Sequence, residues 1–465
     1  MERNNQEQKL SFAVAAGILI LCISILLAGV VILKLDPHIP IFFIIGIVLY
    51  IGKWLGYSWD QLIGSMLKMI GDNISVVFLI MIVGVLVASF MTCGTVPYII
   101  YYGLKLMSPR WFLLCAMVLC FLMAILTGSS FTTVGTLGVA FLGVGISMGI
   151  PVGIVAGAII SGALCGDKHS PLGTATNLAA TVSHVSVYEV ERASRFTSLP
   201  TMFFSGILFT LLGFHYQGAA ADTAQISQIL TGLEKSYHLT PLLLIPVIVL
   251  LIMIFLKIPS VTALITASMV GTICALLLQG ISLKDCFQYM ETGYVSDTGI
   301  ELVDSLLSRG GLVNMGSTIL LIIMGLALAG LLVRLSVIAT ITEVISTYLK
   351  SPFTILSGTF LFAFAFMCFS GDCHMSIVLT ESCMEEHFRS HGIDLSILAR
   401  CINDGSTAMS AMIPWSSVAL YFAGTLGVKV TDFLPYLYLG YGTVLITLLL
   451  AITGIGVKKA SDPVA

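Results

Sequence analysis

The sequence predicts an all-α, polytopic membrane protein, and three observations carry that prediction. Only 10% of its 465 residues are charged and 57% are hydrophobic, whereas soluble domains carry about 25% charged residues. Runs of about 20 apolar residues, the length a helix needs to cross a bilayer, recur along nearly the whole chain. Polar, helix-breaking segments interrupt those runs at matching places in two halves. Unpaired backbone at bilayer depth is tolerated only where it is buried in protein or lines a cavity, so the breaks mark a site. The net charge of −3 gives no basis for a nucleic-acid partner, and membrane lipid is the expected surrounding.

The elements follow in order. Met1 to Lys9 is short and polar. Segment 11–35 is too long for a signal-peptide core and lacks a small-residue cleavage site, so it reads as a retained first span. Further spans follow at 39–57, 74–93, 110–127, 131–147, 149–165, 172–188, 199–217, 240–257, 260–281, 314–335, 352–369, 374–388, 393–403, 408–427 and 433–457. Those too short to cross alone cluster around Gly128, Gly166, Gly371 and Asp404. Amphipathic pieces at 59–70, 97–107 and 340–350 read as interfacial. Polar connections at 218–239 and 284–309 separate the two hydrophobic halves.

The expected organisation has N-terminal helices and a cytoplasmic connection over 1–72 and a first transporter repeat over 73–217. Connecting helices and polar loops fill 218–313, a second repeat fills 314–457, and 458–465 is a tail. Lys53 and Lys68 put the 52–72 connection in the cytoplasm, and Lys458 and Lys459 put the C-terminus there. All eleven cysteines lie in or beside apolar segments with no Cys-x-x-Cys pair, which reads as free thiols acting as small core hydrophobes.

The halves repeat each other. A shift of 243 positions aligns Ser108 to Pro171 with the second half without a gap. Ser108-Pro109 falls on Ser351-Pro352, Gly128 on Gly371, Gly149-Ile150 on Gly392-Ile393, Gly162 on Gly405 and Pro171 on Pro414. Gly and Pro, the residues that set backbone breaks, therefore keep register. Corresponding interrupted segments in two halves point to a transporter's midplane binding site. The four breaks are Thr127-Gly128-Ser129-Ser130, the island from Gly166 to Pro171, Ser370-Gly371-Asp372-Cys373-His374, and Asn403-Asp404-Gly405-Ser406-Thr407 continuing to Ser417.

Asp167, Asp372 and Asp404 are the acids of these breaks. An ionisable residue at the bilayer centre costs about 2.5–3.5 kcal/mol on insertion scales and faces a protein interior or a water-filled path. A hard cation takes oxygen ligands, and carboxylate, hydroxyl, amide and carbonyl oxygens gather here. Cation and proton binding is expected at Asp167, Asp404 and Asp372 with Thr176, Asn177, Ser129 and Ser130, and Na⁺ itself on Asp167, Asn177 and Asp404. A desolvated carboxylate can hold a proton near neutral pH and release it when a cation arrives. That competition is the minimal basis of cation/proton exchange.

Lys168 reads as a counter-charge to Asp167 or as a side chain reaching for the interface. His374 and His169 read as proton carriers or as buried, hydrogen-bonded histidines. Lys168, Ser170, Thr174, His374, Ser406, Thr407, Ser416 and Ser417 form a second set, positioned for an organic substrate should one be carried.

Gly166-Asp167-Lys168-x-Ser170-Pro171-Leu172, followed by Thr176-Asn177-Leu178-Ala179, resembles the signature of the NhaC-type Na⁺/H⁺ antiporters of the ion transporter superfamily. Ile413-Pro414-Trp415 resembles that family's second-half motif. The resemblance implies two inverted repeats with re-entrant hairpins and broken helices, an elevator-type fold, and a multi-pass place in the cell membrane. It puts hairpin tips at Gly128 and Gly371 and broken helices at Asp167 and Asp404. The implied function is exchange of Na⁺ against protons. The alternative, from the malate/lactate-type relatives, is Na⁺- and H⁺-coupled exchange of small carboxylates or of amino acids.

The chain departs from the pattern at Ala175, where a threonine is expected, at Ser416, where an asparagine is expected, and at Ala411, which replaces a proline. Na⁺ and H⁺ are then cargo or coupling ions with no cofactor, and a homodimer is an open assembly.

Other classes fit poorly. Gly145-Ile146-Ser147-Met148-Gly149 matches the G-x-S-x-G pattern, but that motif needs a strand-to-helix elbow, and here it lies between helices. No His-Glu-x-x-His occurs, which leaves a membrane zinc protease without its ligands. The chain reads as a carrier and not as an enzyme.

Overall fold

The computed structural model describes residues 10–33, 35–217, 223–256, 258–297, 304 and 307–457. Every regular element among them is helical. Seven helices are long and apolar enough to cross a membrane, or up to nine when two sharply bent pairs each count as one span. The chain is a multi-pass membrane protein. Met1 to Lys9 and the tail 458–465, with the charge argument resting on Lys458 and Lys459, lie outside the described residues.

Two sets of helices correspond. The first set is α1 (Ile74–Thr92), α2 (Thr95–Leu106), α3 (Pro109–Thr127), α4 (Ser130–Ser147), α5 (Val152–Lys168), α6 (Thr174–Val182) and α7 (Val187–Gln217). The second is α8 (Gly316–Arg334), α9 (Val337–Ser346), α10 (Pro352–Ser370), α11 (Cys373–Ser390), α12 (Leu395–Gly405), α13 (Ser417–Leu426) and α14 (Tyr438–Thr453). The 243-residue shift carries the first residues of α3, α4, α5 and α6 onto those of α10, α11, α12 and α13. Register thus continues past Pro171, and it reaches back to α1 and α2 within one residue.

The local chemistry of the breaks is also shared. Pro109 and Pro352 open α3 and α10, at first-turn positions where no amide donor is needed. Both helices end on a left-handed glycine, Gly128 at φ 66° and Gly371 at φ 62°, a conformation that strains other residues. The next helix starts two residues later under a side-chain cap. Ser129 accepts from the Thr132 amide, and Asp372 accepts from the Met375 amide. Each half therefore presents a helical hairpin with a polar tip.

Close packing builds on these hairpins. α5 lies along α3, and α12 along α10. A Cβ on Gly162 would overlap the carbonyl oxygen of Met117, and one on Gly405 would overlap that of Phe360, two residues that are themselves 243 positions apart. Small residues let helix backbones meet where lipid supplies no hydrophobic drive.

The halves also interlock. α6 packs on α11 and α12, while α13 packs on the widened turn Val134–Gly138 of α4. There the Tyr421 hydroxyl donates to the Phe131 carbonyl at 3.0 Å. α7 lies against α14 and α12, and α14 against α5. Outside this core, His38–Trp54 and Trp59–Asp72 pack on α8, and Ser260–Cys274 packs on α1. Phe42, Tyr50 and Trp54 point outward, as aromatic residues do at a lipid boundary.

Several expected spans differ. Segments 172–188 and 199–217 are instead the nine-residue α6 and the 31-residue α7. The polar first turns of α7, with Arg195 paired to Glu191 at 3.0 Å, read in sequence as a gap. In the second half the final span begins at Tyr438 and not at 433, because short turns at Val430–Phe433 and Leu434–Tyr436 precede it.

The two polar connections carry helices, Thr223–Ser236 and Leu283–Thr292. Glu234 of the first accepts from Tyr101 of α2 and lies 3.7 Å from Lys105. The second buries Cys286 beside Cys93 and Cys274. The eleven cysteines are free thiols.

Candidate functional site

The centre of the molecule holds a sealed ion pair. Asp404 lies in the last turn of α12, fully buried, and Lys168 in the last turn of α5, 2% exposed. The Lys168 ammonium donates to the Asp404 carboxylate. Lys168 therefore neither faces Asp167 nor reaches for the interface, the two roles its sequence position suggested. Thr197 of α7 donates to Asp404 at 3.0 Å and accepts from Lys168 at 3.4 Å. Thr447 of α14 donates to the other carboxylate oxygen at 3.4 Å. Two buried charges need such geometry, because desolvating each ion costs several kcal/mol that only a well-satisfied pair recovers.

Asp167 differs. Its side chain is half-buried, and one carboxylate oxygen accepts from the Ser130 amide at 3.1 Å and the Ser130 hydroxyl at 2.6 Å. Both donors are neutral and stand at the N-terminal end of α4, where helix amides favour an anion. Gly173 closes against the acid: a Cβ there would sit 3.0 Å from the second carboxylate oxygen. The Asn177 amide nitrogen donates to the Pro171 and Gly173 carbonyls at 2.9 and 2.8 Å, which turns its oxygen away from those carbonyls.

The remaining hydroxyls mostly tie the breaks together. Thr176 donates to the Lys168 carbonyl and accepts from Asn403, each at 3.1 Å. Ser129 caps α4, accepting from the Thr132 amide at 3.1 Å. Ser170 donates to the Ile125 carbonyl at 2.7 Å, and Ser406 to Ile402 at 2.7 Å. Ser416 caps α13 and donates to the Ser410 carbonyl at 2.6 Å, so the position that departs from the family motif does backbone work here. Ser417 binds the Gly371 carbonyl through its amide at 2.9 Å and its hydroxyl at 3.1 Å. The Thr407 hydroxyl and the Asn403 side-chain oxygen are buried without a hydrogen-bond partner among the described residues.

At the second tip, Asp372 caps α11 through the Met375 amide at 2.9 Å and turns its other oxygen to His374 Nδ1 at 3.5 Å. His374 Nε2 lies 3.3 Å from the Thr174 hydroxyl, joining the second tip to the start of α6, just past the break from Gly166 to Pro171. His169 is buried against Phe121, its Nε2 without a partner among the described residues.

Sequence reasoning missed three residues of this core: Thr197, Thr447 and Arg400. Arg400 is completely buried one helical turn before Asp404, with Nε and Nη1 unpartnered among the described residues. Its spacing of four from Asp404 was readable, because such residues share a helix face. So was the stripe Ser194, Thr197, Ser198, Thr201 and Ser205, all buried at helical spacing on α7. The Ser147 of the G-x-S-x-G match sits at the end of α4 and donates to the Gly143 carbonyl at 2.7 Å, with no strand leading to it.

Comparison with known proteins bears on the whole chain. A family model described as the Na⁺/H⁺ antiporter family matches residues 162–455. The Na⁺/H⁺ antiporter NhaC of Alkalihalophilus pseudofirmus is 32% identical over 454 residues, 97% of this chain and 98% of that protein. The malate-2H⁺/Na⁺-lactate antiporter of Bacillus subtilis is 33% identical over 432 residues, 93% of this chain and 92% of that one. The arginine/ornithine antiporter ArcD of Halobacterium salinarum is 30% identical over 435 residues, 93% of this chain and 90% of that one.

Proposed function

From membership of the Na⁺/H⁺ antiporter family, to which this chain belongs, we propose a secondary transporter that exchanges Na⁺ against protons by alternating access. Asp167 is the shared site. The observation that carries this is its setting: a half-buried carboxylate whose hydrogen bonds among the described residues come from the neutral donors of Ser130, with no lysine or arginine paired to it there and the titratable His374 as the charge that reaches it. Such an acid can be neutralised in turn by a proton or by Na⁺, and each expels the other. The Ser130 hydroxyl, the Asn177 amide oxygen and carbonyls of the break are the oxygen donors a hard cation takes. No cofactor enters this cycle, since Na⁺ and protons are the cargo.

Asp404 plays another part. Lys168 already neutralises it, so it joins α5 to α12 and leaves the moving charge to Asp167. The two hairpins and the helices ending at Lys168 and Gly405 are read as one moving body built from inverted repeats, residues 73–217 and 314–457. Its motion is elevator-like against the peripheral helices. The cell membrane is the expected location.

A second reading has one observation in its favour. Arg400 keeps two guanidinium nitrogens unpartnered among the described residues in a fully buried position, and a guanidinium fork matches a carboxylate. Exchange of small carboxylates or amino acids, as the names of two relatives state for those proteins, would use it. Proteoliposomes holding an internal pH dye separate the two. Proton movement on adding Na⁺ alone supports the antiporter reading, and movement only with added malate, lactate or amino acids replaces it.

A further inference from the structure

The tip of the second hairpin carries a donor set that Na⁺/H⁺ exchange does not require. Asp372, Cys373 and His374 are consecutive, yet the cap geometry of α11 turns all three toward one point. Their ligand atoms lie within 4.8 Å of one another. His374 Nδ1 stands 3.6 Å from Cys373 Sγ and 3.5 Å from the nearer Asp372 oxygen. A tetrahedral Zn²⁺ with bonds of about 2.0–2.3 Å holds its ligand atoms roughly 3.3–3.8 Å apart. Two of the three edges already have that length.

The chemistry selects the metal class. Na⁺, Mg²⁺ and Ca²⁺ prefer oxygen alone, whereas thiolate with imidazole selects Zn²⁺ and related borderline ions. The outer partners are also in place. A metal-ligating histidine donates its other ring N–H to a fixed acceptor, and the Thr174 hydroxyl lies 3.3 Å from His374 Nε2. Asp372 is oriented by the Met375 amide on its far oxygen. His374 is 45% exposed, which gives an ion an entry path, while Cys373 is buried.

We propose that Asp372, Cys373 and His374 form a binding site for a thiophilic divalent cation of the Zn²⁺ type, whose occupation pins the second tip to α6 and arrests transport. Binding displaces the Cys373 thiol proton to solvent as the sulfur–metal bond forms, and a water completes the coordination. The clamp acts through Thr174, which belongs to the first half, so the metal holds the second tip fixed against α6.

The test uses the purified full-length protein and Zn²⁺ in competition with a chromophoric chelator. The wild type should bind one Zn²⁺ that both Cys373→Ser and His374→Ala weaken at least about tenfold. Co²⁺ in its place should give a thiolate charge-transfer band that Cys373→Ser lacks. Cys373→Ser places at the tip the residue that Ser130 supplies in the first half, so the variant should fold and transport, and it should escape the Zn²⁺ inhibition seen in wild-type proteoliposomes. Equal Zn²⁺ affinity in the three proteins, or equal inhibition of Cys373→Ser, overturns the proposal. The binding arm is independent of transport, so its failure is distinguishable from failure of the antiporter reading.

Discussion

Asp167 and Asp404 belong to corresponding helices, α5 and α12, but their surroundings are opposite. Asp404 is fully buried and meets a lysine and two threonine hydroxyls. Asp167 is half-buried, and among the described residues its carboxylate accepts hydrogen bonds from the amide and hydroxyl of Ser130, with His374 as the titratable group that reaches it. The position in α5 that matches Asp404 is Ser161, and Asp167 lies six residues further on, in an extension of α5 that α12 lacks. The repeat thus supplies the scaffold twice, and in the proposed cycle one acid is under permanent neutralisation and the other under conditional neutralisation. Only a conditional acid can exchange its counter-ion.

That contrast can be broken by substitution, and the largest effect is expected at the conditional acid. Asp167→Asn should reduce Na⁺-driven proton movement in proteoliposomes to background while the protein still purifies as a folded species. Wild-type rates in that variant would sink the assignment.

At the permanent pair the effect should appear in stability. Lys168→Met strands a buried carboxylate and should cost about 3–5 kcal/mol, read as a large fall in the thermal unfolding midpoint in detergent. Lys168→Met combined with Asp404→Leu should recover most of that loss, and a double variant no more stable than the single one would show that the pair is not the cause.

The scaffold itself should respond alike in both halves. Gly162→Ala and Gly405→Ala each push a methyl into a facing carbonyl and should each cost about 1–3 kcal/mol. A cost in only one half would mean that the close helix contact is not shared. The smallest effect is expected at Ser130→Ala, which removes one hydroxyl from the conditional acid and should weaken Na⁺ half-saturation about tenfold. An unchanged half-saturation would remove Ser130 from the cation site.

Much of the scaffold was legible because glycine and proline mark breaks whatever surrounds them. Gly128, Gly149, Gly162 and Pro171 kept register with Gly371, Gly392, Gly405 and Pro414, and the helix starts followed. The length of α7 was not legible, since its first turns carry Glu189, Glu191, Arg192 and Arg195 at a stretch that reads as a loop. The partner of Lys168 was hidden for another reason. Asp404 lies 236 residues away, and helix packing alone brings them together, so the nearer Asp167 looked like the natural counter-charge. Many candidate hydroxyls, Ser170, Ser406, Ser416 and Ser417 among them, satisfy freed backbone carbonyls, a demand visible only once the breaks have a shape.

The central claim is that proton and Na⁺ compete for one carboxylate. It is tested most directly by adding Na⁺ to the purified protein in weakly buffered detergent and recording proton release. The wild type should release protons in step with Na⁺ bound, and Asp167→Asn should release none. Equal release from both proteins would contradict the account.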